Sequence, residues 1–81
     1  MKVKNLSPRS LKYLKLHGLT KKFSKQIILL SENPKHPSLH TELLEPKEMK
    51  IYSFRIDRKY RAIFIIVSRE IEIIDINDHY R

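Results

Sequence analysis

Two arginines, a histidine and a tyrosine carry the chemistry that this sequence offers. Residues 50–57 and 60–67 both alternate between apolar and polar positions. Paired as a hairpin around the loop Asp57-Arg58-Lys59, they put Tyr52, Phe54, Ile56, Tyr60, Ala62, Phe64 and Ile66 on one face. The other face carries Ile51, Ser53, Arg55, Arg61, Ile63 and Ile65, with Arg55 opposite Arg61. Like charges placed opposite one another destabilise a sheet, so such a pair points to an anion held between them. Guanidinium groups bind phosphate in bidentate fashion and stay charged at any relevant pH. A third strand, Glu70 to Ile76, runs back antiparallel to the second. It delivers Asn77-Asp78-His79-Tyr80-Arg81 to the end of the sheet where Arg61 sits. Histidine is the natural proton donor or acceptor near neutral pH, and a tyrosine stacks on a base or hydrogen-bonds a phosphate oxygen. The structural alternative is that Arg55 and Arg61 pair with Asp57, Glu72 or Asp75.

The elements that must position this group read from the N-terminus. Val3 to Leu6 suit a short strand. Ser7 before Pro8 is a helix N-cap followed by proline in the first turn. Leu11, Tyr13 and Leu14 mark a helix up to His17, and Gly18 suits its left-handed terminus. Thr20 is expected to cap a second helix with Phe23, Ile27, Ile28 and Leu30 at helical spacing, stopped by Asn33-Pro34. Lys12, Lys15, Lys21, Lys22 and Lys25 fall on the outer surfaces of this αα-hairpin. Residues 35–44 are a connection anchored by Leu39, Leu43 and Leu44, and Pro46 to Met49 is a charged turn. The expected fold is α+β: a short N-terminal strand, then an αα-hairpin packed on one face of a small antiparallel sheet. The opposite face, with Arg55 and Arg61, is expected to stay partly open.

Composition narrows the function. The 81 residues make one domain, 1–81. One glycine leaves no Gly-rich phosphate loop. A formal net charge of +8 favours polyanionic partners such as RNA, DNA or an acidic protein. The chain has no cysteine, no apolar run of membrane-spanning length and no signal-peptide core after Met1-Lys2-Val3-Lys4, which reads as a soluble cytoplasmic protein with no membrane partner. His36 and His40 have a spacing that metal ligands use. Pro37 between them opposes a helix and no third ligand completes a site, so neither a metal nor a cofactor is expected.

With "HPSLHTELLEP", "IYSFRIDRKYRAIF" and the closing "DINDHYR", the chain resembles the RelE/ParE superfamily of toxins from bacterial toxin–antitoxin pairs. The resemblance covers nearly the whole chain, and its specific part is Ile51 to Tyr80. The terminal His-Tyr is most similar to the YoeB-like ribosome-dependent messenger-RNA endonucleases. Counting from Tyr52-Ser53 puts Glu42 where those enzymes carry a glutamate. Arg61 matches the arginine of their second hairpin strand, Arg55 a further strand arginine, and His79-Tyr80 their closing His-Tyr. Thr41 and Leu43 stand where YoeB-like chains flank the glutamate with prolines, and Glu45-Pro46 competes for the same role. Arg81 extends past the usual terminal tyrosine. What the resemblance implies is metal-independent cleavage of messenger RNA on the ribosome, leaving a 2′,3′-cyclic phosphate. The implied catalytic residues are Glu42 as base, Arg61, His79 as acid and Tyr80. Arg55, Lys47, Lys50, Arg58, Lys59 and Arg81 would hold RNA, ribosomal RNA included. An acidic antitoxin would bind the protein in a hetero-oligomer. Two other readings stand beside it: a ParE-like, non-enzymatic DNA gyrase poison, and a basic nucleic-acid-binding module without catalysis.

Overall fold

The computed structural model describes residues 1–78, so the expected roles of His79, Tyr80 and Arg81 fall outside the described residues. Two helices cover one face of a five-stranded sheet. The strands are β1 (Lys2–Val3), β2 (Glu42–Leu43), β3 (Tyr52–Arg55), β4 (Arg61–Val67) and β5 (Glu70–Asn77), ordered β1-β5-β4-β3-β2. The expected small antiparallel sheet is in fact mixed. β1 runs parallel to β5, with Lys2 opposite Glu70 and Val3 opposite Ile71. β2 adds a short strand to the connection that leads into β3, pairing Glu42 with Ser53 and Leu43 with Tyr52.

Helix α1 spans Pro8–Leu16. Ser7 caps it by accepting from the Ser10 N–H at 3.1 Å, and proline occupies its first turn. Gly18 follows at φ 64°. Helix α2 spans Thr20–Glu32 and ends at an extended Asn33 before Pro34. The expected Thr20 cap does not form. The N-cap is Leu19, still near helical angles, and it makes no side-chain capping bond. The inter-helix turn is too tight for an extended capping residue: the Leu19 N–H bonds back to the Leu14 carbonyl, and the Leu19 carbonyl already receives Phe23.

The core lies between the helices and the sheet. Leu14, Leu19, Phe23 and Leu30 come from the helices, and Leu39 from the connection. Phe54, Ala62, Phe64, Ile71, Ile73 and Ile76 come from the sheet. The side chains of β3 and β4 alternate as expected, with Tyr52 opposite Phe64 and Phe54 opposite Ala62. β5 keeps its apolar residues inward by a bulge. Ile63 faces Asp75 and Phe64 faces Ile73, so Ile74 leaves the ladder and is 44% exposed.

Candidate active site

The β3–β4 register sets Arg55 opposite Arg61, and the β4–β5 register sets Arg61 opposite Asn77. Two residues along the strands lies a second row: Glu42, Ser53, Ile63 and Asp75. Residues directly opposite share a face, and so do residues two apart on one strand, so both rows stand on the face away from the helices. Ser53 and Arg61 are diagonal neighbours on that face, and their side chains meet. Nε of Arg61 donates to Ser53 Oγ at 3.0 Å, and Nη2 donates to the Ser53 carbonyl at 3.3 Å and to the His40 carbonyl. The hairpin loop is tied by Asp57, whose Oδ1 accepts from the N–H groups of Lys59 and Tyr60 at 2.9 and 2.8 Å.

The expectation that Arg61 stands on an open face is overturned. Arg61 is only 5% exposed. The segment from Pro37 to Thr41 approaches this end of the sheet and supplies a backbone acceptor. His40 takes φ 46° as it does so, a left-handed conformation costing a residue with a side chain about 1–2 kcal/mol. Burial pushes the guanidinium below its ordinary value; the Glu42 carboxylate pulls it back up and Arg55 pushes it down. Arg61 therefore feels both Glu42 and Arg55. Arg55 itself is half-buried and Glu42 is exposed. The acids offered as alternative partners are engaged elsewhere: Asp57 with Lys22 at 3.2 Å, Glu72 with Lys4 at 3.4 Å, and Asp75 with the Asn77 amide at 2.8 Å.

The other expected residues divide by position. Arg58 and Lys59 sit exposed on the loop next to the arginine row. Lys47 and Lys50 lie in the turn before β3, the opposite end of that strand from Arg55, roughly 17 Å along an extended chain from Lys50 to Arg55. Glu45 lies beyond Leu44, whose N–H bonds the Ile51 carbonyl, and so is about three residues, ~10 Å, further from the arginine row than Glu42. His36 caps the turn Pro37–Leu39 through Nδ1, which accepts from the Ser38 N–H at 3.2 Å. Among the described residues no three His, Asp or Glu side chains are grouped to hold a metal.

Three positioning groups escaped the sequence reading. Ser53 is fully buried and orients Arg61. The His40 carbonyl does the same from the connection before β2. Gln26, on the inner face of α2, donates to the Arg55 carbonyl at 2.8 Å and the Ser38 carbonyl at 3.2 Å, fixing the end of β3 to the connection. Gln26 falls on the apolar stripe of α2, between Phe23 and Leu30, which is the one signal that would have found it.

The fold has solved counterparts. The YoeB/ParE toxin from Agrobacterium tumefaciens superposes with a TM-score of 0.76 over 99% of this chain and 100% of that one, at 19% identity. This chain has the fold of YoeB/ParE toxins. A chain of the heterotetrameric YoeB-YefM toxin–antitoxin complex from Staphylococcus aureus matches at a TM-score of 0.72 and 21% identity, covering 99% of this chain and 100% of that one. A copper-bound mutant toxin from Helicobacter pylori matches at a TM-score of 0.71 and 16% identity, covering 96% of this chain and 91% of that one. In sequence, an uncharacterized protein of Haemophilus influenzae (strain Rd) is 44% identical over 43 residues. That match spans 53% of this chain and 43% of the length of the relative. No family model matches the chain. No helix among the described residues is long and apolar enough to cross a membrane.

Proposed function

We propose that this protein is the toxin of a type II toxin–antitoxin pair in the RelE/ParE superfamily, and that it cuts messenger RNA on the ribosome. The observation that carries this reading is the register that sets Arg55 opposite Arg61 with Glu42 in the neighbouring row, at the end of the sheet where β5 finishes. The likeness in fold to YoeB toxins supports it. In the proposed reaction Glu42 takes the proton of a ribose 2′-hydroxyl. The 2′-oxygen then bonds to the adjacent phosphorus, and the bond from phosphorus to the 5′-oxygen breaks. His79 gives that leaving oxygen its proton. The products are a 2′,3′-cyclic phosphate and a free 5′-hydroxyl, with no net proton change. Arg61, held by Ser53 and the His40 carbonyl, stabilises charge on the phosphorane without having to reorganise. Arg55 shares that charge, and Tyr80 orients the nucleotide. The basic surface meets ribosomal RNA through contacts that read no sequence, and an acidic antitoxin neutralises it in a hetero-oligomer in the cytoplasm.

The burial of Arg61 favours a second reading. An arginine spent on framing the sheet end suits a ParE-like toxin that poisons DNA gyrase and cuts no RNA. Primer extension on a message translated by purified ribosomes decides between them. The first reading predicts new 5′ ends when the protein is added and cyclic phosphates on the upstream fragments. An intact message together with blocked gyrase supercoiling selects the second.

A further inference from the structure

A second cluster of rings lies at the junction of α1 and α2, where it meets the tip of the β3–β4 loop. Tyr13 and His17 have ring centroids 4.2 Å apart, and His17 and Tyr60 are 5.4 Å apart. Tyr60 Oη lies 3.2 Å from His17 Nδ1. Tyr13 and Tyr60 are half-buried and pack against the core, whereas His17 is exposed. The imidazole is thus a flat ring held from two sides. Lys59 Nζ stands 5.5 Å from the Tyr60 ring centre. Lys15, Lys21, Lys22 and Arg58 are exposed on the same two segments, and Lys22 binds Asp57 to join them. Burial, with the carboxylates of Asp78 and Asp75, raises the Tyr13 phenol above its ordinary value, so it stays neutral at physiological pH.

We propose that His17, backed by Tyr13 and Tyr60, is a stacking platform for an unpaired nucleobase, with Lys15, Lys21 and Arg58 holding the flanking phosphates of single-stranded RNA, while Lys22 and Lys59 stay paired with Asp57 and Asp78. Every base has a π face, so such a platform tolerates any sequence. A cationic rim alone would suit an acidic protein equally. An exposed ring packed at a tilt against two phenols adds nothing for a carboxylate but completes a base contact. The platform lies in the helix–hairpin junction and uses none of Glu42, Arg55 or Arg61. It stands on the reading that RNA is a partner, yet it is testable without cleavage.

The test uses a fluorescein-labelled single-stranded 2′-O-methyl oligouridylate, which has no 2′-hydroxyl to attack, and its duplex with a complementary strand. The chain has four tyrosines and no tryptophan, so tyrosine emission is read without a tryptophan background, and the difference in quench between the parent and His17→Ala assigns it to the platform. Stacking is worth about 1–3 kcal/mol per base, so His17→Ala should weaken single-strand binding by about tenfold and reduce the quench. His17→Phe, which restores a flat ring without a titratable nitrogen, should bind within about twofold of the parent. Duplex binding should be the same in all three proteins, and circular dichroism should show α1 intact, since His17 is exposed. Equal single-strand affinity for the parent and His17→Ala overturns the proposal. So does an equal loss on single strand and duplex, or polyglutamate binding as tightly as the oligouridylate. An Arg61 variant that no longer cuts message but still binds the oligouridylate keeps the function reading and the platform distinguishable.

Discussion

Arg55 and Arg61 face each other across two strands, yet they occupy different kinds of site. Arg61 is buried, with Nε and Nη2 donating to Ser53 and to the His40 carbonyl. Arg55 is half-buried, and its anchoring runs through its backbone, which Gln26 holds. The contrast explains how a sheet tolerates two like charges in register. One guanidinium is buried and donates into the frame at Ser53 and the His40 carbonyl, and the other is only half-buried. In the proposed reaction the two would take different jobs: the buried charge would supply stabilisation without reorganisation, and the half-buried one would meet the substrate.

Arg61→Ala breaks this contrast with the largest effect. It leaves a buried Ser53 hydroxyl and the His40 carbonyl short of a donor, so it should cost about 2–4 kcal/mol of stability as well as all measurable cleavage. Arg55→Ala should cost under ~0.5 kcal/mol while slowing cleavage by ~10-fold or more. Urea midpoints beside ribosomal cleavage rates give both numbers. Equal destabilisation by the two substitutions would mean that the frame does not distinguish the arginines.

A smaller effect sharpens the same comparison along β2. Glu42 lies in the row next to the buried arginine, and Glu45 lies beyond Leu44, nearer the far end of β3. A general base must reach the proton it removes, directly or through one water. Glu42→Gln should therefore slow ribosomal cleavage by ~100-fold, and Glu45→Gln by less than ~3-fold. Were Glu45→Gln the slower enzyme, the carboxylate facing the scissile phosphate would come from the turn and not from the strand.

Much of this was legible in the residues. The alternation over 50–57 and 60–67 predicts the hairpin, its three-residue loop and the pairing of Arg55 with Arg61, because a slip of one residue would turn Phe54 and Phe64 out of the core. Ser7-Pro8 and Gly18 mark the bounds of α1 for reasons of capping and left-handed geometry. The hidden parts depend on distant contacts. Nothing local in Pro37 to Thr41 says that a backbone carbonyl will reach Arg61, and so an arginine on the outer face reads as open. β2 has only two residues, too few for any period, and the Thr20 cap fails because tertiary closure of the turn overrides a local preference. The turn Ser68-Arg69 joins β4 to β5 at φ 51° and 65° with neither asparagine nor glycine to announce it. His17 and Tyr60 are 43 positions apart, so no motif joins them.

The smallest effect lies in the loop beside the two arginines. Asp57 is buried enough that desolvation alone would raise its carboxyl above the usual value, but the N–H groups of Tyr60 and Lys59 and the Lys22 ammonium outweigh this and lower it. A carboxyl lowered on folding contributes stability that is fully present above its unfolded value, near pH ~4, and is lost as the pH falls through the folded value. Asp57→Asn keeps a side-chain oxygen that can accept from both N–H groups but loses the charge. Its urea midpoint should lie slightly below the parent at about pH 7, and the gap should close as the pH is taken well below ~4. Ionic strength should narrow the gap at neutral pH, because the Lys22 partner is 60% exposed. Cleavage at neutral pH should change little, since the loop that sets Arg55 opposite Arg61 survives. A constant gap between the two proteins from about pH 7 to about pH 2 would show that Asp57 acts through its hydrogen-bond geometry alone, and that the charge beside the arginine pair is idle.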